Sequence, residues 1–180
     1  MRDAMVQATR EAVRASDGRP IAAGNLHLTL AFLGPVPERR LPELAEAGRR
    51  AVETLIFAQE GTSAPGDPLE LTFDHLEHWR AARLLCALPS QPPALLAALA
   101  RELQSLLTGR GFAPDPKPFR PHVTVARNVA GRGPAGKMHP VLWRSGELAL
   151  VRSRSLTEGA LYSVVESYRL GPTQYPCAST

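Results

Sequence analysis

The chain has 180 residues, 44% of them hydrophobic and 21% charged, and a net charge of +4. That composition can bury a core, which excludes a disordered chain, and the length suits one domain over residues 1–180 better than two. No apolar run reaches the roughly 18 residues of a membrane span, and the opening "MRDAMVQATREAVRAS" lacks the apolar core of a secretion signal, so a cytoplasmic protein with no membrane partner is expected.

Residues 3 to 15 have helical composition, with Ala4, Met5, Ala8 and Ala12 near one face, and "DGRP" stops them. Residues 26 to 33 read as a strand closed by "GPVP". From Glu38 to about Ala58 the stripe Leu41, Leu44, Ala45, Val52 and Leu55 predicts a second helix, and "EGTSAPGDP" a loop. "LELTFDHLEHW" and "ARLLCALP" predict two strands joined at Trp79 to Ala81. "QPPALLAALARELQSLLTGRG" is the clearest helix, with Pro92 and Pro93 near its start and Gly109 after its end. The Pro-rich basic loop "FAPDPKPFRP" leads to a strand over 122–127, "NVAGRGPAGKMHP" reads as a loop, and "GELALVRSRS" and "GALYSVVESYRL" as the last two strands. Strand pairs joined by short loops favour antiparallel sheets with helices on one face, the α+β class.

Cys86 lies in the apolar run "RLLCAL" and reads as a small core residue, while Cys177 lies in a polar tail. Two cysteines make no disulfide framework, although a single bridge between them stays open. The basic residues are arginines except for Lys117 and Lys137. Arginine offers a bidentate fork to phosphate, so the charge permits RNA as a partner without arguing for it.

The chemistry lies in two short stretches. "NLHLTLAFLG" puts His27 and Thr29 on one strand face and Leu26, Leu28 and Leu30 on the other, and "PFRPHVTVAR" repeats the arrangement with His122 and Thr124. One H-x-T is common by chance and fits an ordinary sheet-face histidine. Two copies with the same aliphatic backing point to a shared site. In-line displacement at phosphorus needs a base on the attacking oxygen and an acid on the departing one. Histidine, with a pKa of about 6.5, serves either role near neutral pH. The threonine two residues on sets a hydroxyl beside each imidazole, where it can donate to a non-bridging phosphate oxygen. Such a set requires no metal and no cofactor.

"NLHLTLAFLG" and "FRPHVTVAR" together resemble the paired signatures of the 2H phosphoesterase superfamily, and most closely the bacterial RNA 2′,3′-cyclic phosphodiesterases, formerly described as 2′–5′ RNA ligases. The resemblance runs from about Asn25 through "ELTFDHLEHW", "ARLLCALP", "GFAPDPKPFRPHVTVAR" and "GALYSVVESYRL". It implies a single α+β domain over 1–180, of two pseudo-twofold-related lobes of antiparallel sheet with helices outside and the active-site cleft between them. It implies catalysis by His27 and His122, phosphate contacts from Thr29, Thr124 and Arg127, and hydrolysis of a 2′,3′-cyclic phosphate end of RNA or a nucleotide to a 2′-phosphate by a monomer. His122 is expected as the base and His27 as the acid. The alternatives are the reverse reaction, 2′–5′ RNA ligation, and non-catalytic binding of RNA ends. Members of the family open with an apolar strand before the first helix, whereas this chain starts at the helix; either the start is assigned too late or the strand is lost, and an unprotected edge is expected in the N-lobe sheet. An aromatic often precedes the first motif in relatives; here the residues are "RPIAAGN".

The remaining candidates are weaker. Arg110, Lys117 and Arg120 form a basic stretch before the second motif, either a solvated loop or a patch steering an RNA end. "GRGPAGK" has P-loop spacing, but Met138 stands where a Ser or Thr must reach magnesium, and a turn is the better reading. His75 and His78, three apart on a strand, face opposite ways and make a poor chelate, so solvated sheet and turn positions are expected there. His139 lies in a Gly/Pro loop with nothing nearby to activate it.

Overall fold

The computed structural model describes residues 1–59, 69–115, 117–130, 133–156 and 159–170. The expected loop at 60–68 and Cys177 lie outside them. The chain divides into two compact units, one of residues 1–32, 70–97 and 115–144, the other of 33–69, 98–114 and 145–180.

The first unit opens with α1 (Arg2–Ala15), whose Met5 and Thr9 are buried. Asp3 in its first turn and Arg14 in its last match the helix dipole. The helix ends where Ser16 Oγ accepts the Gly18 N–H at 3.1 Å. A Cβ on Gly18 would lie 2.8 Å from Val129 Cγ2, so only glycine lets the chain turn so close to the sheet. A five-stranded sheet follows in the order β1-β4-β3-β2-β5, with β1 (Arg19–Pro20), β2 (Leu69–Trp79), β3 (Leu84–Leu88), β4 (Val123–Arg127) and β5 (Gly136–Ser145). The pairs β1–β4, β4–β3 and β3–β2 are antiparallel. The strands β2, β3 and β4 supply the core, where Phe73, Leu85, Val123 and Ala126 are fully buried. Phe73 meets Trp143 edge-on at 5.8 Å. Cys86 is a free thiol in this core, its pKa pushed up to about 11 chiefly by burial.

In the second unit α2 (Leu41–Gln59) packs on the antiparallel hairpin of β6 (Glu147–Leu156) and β7 (Gly159–Arg169). The contact depends on Tyr168, whose hydroxyl donates to the Ala45 carbonyl at 2.9 Å. Gly48, one turn on, leaves room for the ring, since a Cβ there would lie 2.8 Å from Tyr168 Cε2. Most of α3 (Ala94–Gly109) belongs to this unit, and Leu107 accepts the Phe112 N–H at its end. Gly111, with φ +71°, provides the left-handed stop; Gly109 is the last helical residue.

The α+β class and the three helices match the sequence reading, but three segments differ. Residues 26–33 form no ladder: Leu28 makes one isolated antiparallel bridge, to Val123. The open edge of β4 is already taken at Arg127 and Ala126 by β1 and at Val125 by the Ile21 N–H, so little of the five-residue strand remains to pair. Inside–outside alternation persists, with Leu26 buried and His27 and Thr29 exposed. Residues 136–140, read as loop, begin β5. Gly136 and Pro140 disguise this strand, and its place at the sheet edge is what tolerates a proline. β1, two residues long, was too short to show a period.

Candidate active site

The candidate functional face of the first unit's sheet follows from its register. The Leu28–Val123 bridge, continued one residue either way, sets His27 opposite Thr124 and Thr29 opposite His122. The two motifs thus meet head to tail across that bridge. Leu28 and Val123 turn to the other side, where Val123 is fully buried.

Both imidazoles are anchored alike. His27 Nδ1 lies 2.6 Å from the Asn25 carbonyl, and His122 Nδ1 lies 2.8 Å from the Arg120 carbonyl. A carbonyl oxygen only accepts, so Nδ1 carries a proton in each ring and Nε2 is the nitrogen left for a substrate. Burial holds the His122 pKa below the ordinary histidine value; the Arg120 and His27 charges add to this, while the carbonyl bond opposes it. At neutral pH His122 is therefore an imidazole with a basic Nε2.

Arg127 requires a structural account, because three residues beyond Thr124 on a regular strand is the opposite face. The β3–β4 register slips between Leu85 and Cys86: Leu85 pairs with Ala126 while Cys86 pairs with Thr124, leaving Val125 as an extra residue. This is a β-bulge. Leu84 and Cys86, two apart on β3, share a face, and their partners Arg127 and Thr124 therefore share it too. Val125 and Ala126 are both buried against the core. Arg19, opposite Arg127 on β1, is brought to the same face, and the sequence reading did not single it out.

The basic stretch before the second motif has other partners. Arg120 donates to both Glu77 carboxylate oxygens, at 3.0 and 2.9 Å. Lys117 pairs with Asp115 at 3.3 Å. Arg110 belongs to the second unit, where it donates to the Leu106 carbonyl at the end of α3.

Trp79 was not singled out in the sequence. Its ring lies 4.4 Å from that of His122, tilted by 54°. An aromatic at the end of an alternating strand was the only signal, and most such residues are core. His75 and His78 are half-buried, and the His75 side chain keeps 41% of its surface exposed beside Asp74. His78 Nδ1 accepts the Gly133 N–H at 3.0 Å, so its role at the end of β2 is structural. Lys137 stands in β5, which removes the P-loop reading. His139 is exposed in the same strand. Among the described residues no group of three or more His, Cys, Asp or Glu side chains could hold a metal ion, and no helix is long and apolar enough to cross a membrane.

The family model of the 2′–5′ RNA ligase superfamily matches residues 2–154. The chain belongs to that superfamily. Among its members, the RNA 2′,3′-cyclic phosphodiesterase of Thermus thermophilus is 31% identical over 185 aligned residues, 94% of this chain and 84% of the relative. The enzyme of the same name from Escherichia coli is 35% identical over 113 residues, 63% of this chain and 57% of the relative. Solved structures with the superfamily fold include E. coli LigT complexed with 3′-AMP (TM-score 0.74, 27% identity, 94% of this chain and 90% of that one). TT0787 of T. thermophilus is as similar, with a TM-score of 0.73, 27% identity, and 94% and 91% covered.

Proposed function

We propose that this protein is a phosphodiesterase that opens 2′,3′-cyclic phosphate ends of RNA or nucleotides to 2′-phosphates without a metal. The observation that carries the reading is the head-to-tail meeting of the two H-x-T segments, with each Nδ1 tied to a carbonyl. His122, neutral at pH 7, takes a proton from water as the water oxygen bonds to phosphorus. The bond from phosphorus to the 3′ oxygen breaks, and His27 protonates that oxygen. The product keeps its phosphate on the 2′ oxygen. Thr29, Thr124 and Arg127 donate to the non-bridging oxygens, where charge accumulates in the transition state. The names of the relatives support an RNA substrate.

The test is incubation of the purified protein with an oligonucleotide ending in 2′,3′-cyclic phosphate, in EDTA, followed by assignment of the product phosphate. A 2′-phosphate is expected at a rate unaffected by the chelator. Activity lost in EDTA and restored by zinc or manganese would overturn the mechanism. Adding an oligonucleotide with a free 5′-hydroxyl tests the reverse reaction, and joined product would favour the ligase reading.

A further inference from the structure

We infer that Glu77, Trp79 and the Arg120 side chain form a brace that sets the orientation of the His122 ring. This rests on the reading of His122 as the base. Trp79 lies against the His122 ring, with centroids 4.4 Å apart. Its Nε1–H donates to Glu77 Oε2 at 2.9 Å. The opposite side of the carboxylate is held by Arg120, which donates to both oxygens at 3.0 and 2.9 Å and places its guanidinium carbon 5.3 Å from the indole centroid. The main chain of Arg120 supplies the carbonyl that anchors His122 Nδ1 at 2.8 Å. The contacts close a circuit: Glu77 ties indole to guanidinium, and each returns to His122, one through its ring and one through its backbone.

A single Nδ1 hydrogen bond leaves an imidazole free to tilt about that bond. A flat neighbour fixed at 4.4 Å removes the tilt and directs Nε2 at one point. Glu77 bonds to Trp79 and Arg120 and acts on His122 only through them, so it is a positioning residue. The Trp79 N–H, and then Arg120, hold its carboxyl below the usual carboxylate range, so the circuit stays charged through neutral pH. The charged groups facing His122 are Arg120 on its own segment and His27 on the residue 25–29 segment.

Three variants test the brace: Trp79→Ala, Trp79→Phe and Glu77→Ala, each checked for a cooperative thermal melt. Trp79→Ala should lower kcat on the cyclic phosphate about 10- to 100-fold with KM nearly unchanged, the cost of a misdirected base. The His122 imidazole, followed by NMR, should titrate higher, towards about 6.5, because the ring that excludes water is gone. Trp79→Phe keeps a ring there and should recover most of kcat. Glu77→Ala should lower kcat in the same sense, and the double variant should fall no further than Trp79→Ala alone. Unchanged kcat and an unchanged His122 titration in Trp79→Ala and Glu77→Ala would overturn the brace. If Trp79→Ala does not fold, the kcat and titration of Glu77→Ala decide. A wild-type protein inactive on the cyclic phosphate would defeat the functional reading instead, and the titration, which needs no turnover, would still decide the brace.

Discussion

His122 carries the clearest electrostatic signature of the site. Its pKa is lowered in the fold chiefly by desolvation, so as the pH drops the unfolded chain takes up that proton before the folded one does. Stability should therefore fall as the pH drops from about 6.5 towards the lowered folded value, and level off below it. Unfolding midpoints across that window should show a slope that His122→Ala reduces; an identical slope in the variant would mean that the shift is absent. Chemistry separates the two histidines differently. A ribose 3′ alkoxide needs a proton to leave, whereas a nitrophenolate does not. His27→Ala should be badly impaired on the cyclic phosphate and largely rescued, in kcat/KM, on a nitrophenyl diester, while His122→Ala should be impaired on both. Rescue of His122→Ala alone would keep the site and exchange the roles. Thr29→Val and Thr124→Val should each lower the rate about 10- to 1000-fold, as the loss of one oxyanion donor does.

At the scale of elements, the bulge in β4 and the seam between α2 and β7 decide most. The bulge at Val125 brings Arg127 to the face of Thr124, so Arg127→Ala should raise KM for the cyclic phosphate, and Arg127→Lys should recover only part of the loss because a point charge lacks the fork. A KM unchanged in Arg127→Ala would place its side chain away from phosphate. In the second unit, helix propensity alone says that Gly48→Ala stabilises α2 by about 1 kcal/mol. Packing says the reverse, because the new Cβ would lie 2.8 Å from the Tyr168 ring, which a hydrogen bond to Ala45 holds in place. Overpacking of this kind costs about 1–3 kcal/mol, so a net loss is expected in chemical denaturation. A stabilised Gly48→Ala would show that the ring yields easily.

Over the whole molecule, the count of 21 lysines and arginines overstates what is available to RNA. Arg40, Arg49, Arg50, Arg120, Arg144 and Arg152 each face a carboxylate within 3.1 Å, and Lys117 faces Asp115. A single-stranded ligand releases counterions in proportion to the phosphates neutralised, with a log–log salt slope of about −0.7 per phosphate. With Arg127 on the site face meeting one or two phosphates, binding of a cyclic-phosphate oligonucleotide to a catalytically silent His27→Ala/His122→Ala protein should show a slope of about −0.7 to −1.4. A slope several times steeper would mean that an extended basic track carries the RNA.

The helices, the β2 and β3 strands and the two H-x-T pairs were legible in the sequence because each is a local code. A helical stripe or an i, i+2 pair depends on backbone geometry within one segment, whatever that segment packs against. Arg127 differs: its face depends on a bulge, which exists only as a mismatch between β4 and its partner β3. Arg120, a candidate for steering RNA in the sequence, pairs with Glu77 from 43 residues away, and Trp79 comes to lie on His122 through the same fold. β5 was hidden by its glycine and proline, which only an edge position allows, and a strand is at an edge by virtue of its neighbours. The sequence by itself determined which side chains are candidates for the chemistry. Register between distant strands decided which of them share a face and what holds them there, because hydrogen-bond pairing across a sheet is set by long-range contacts that no local pattern encodes.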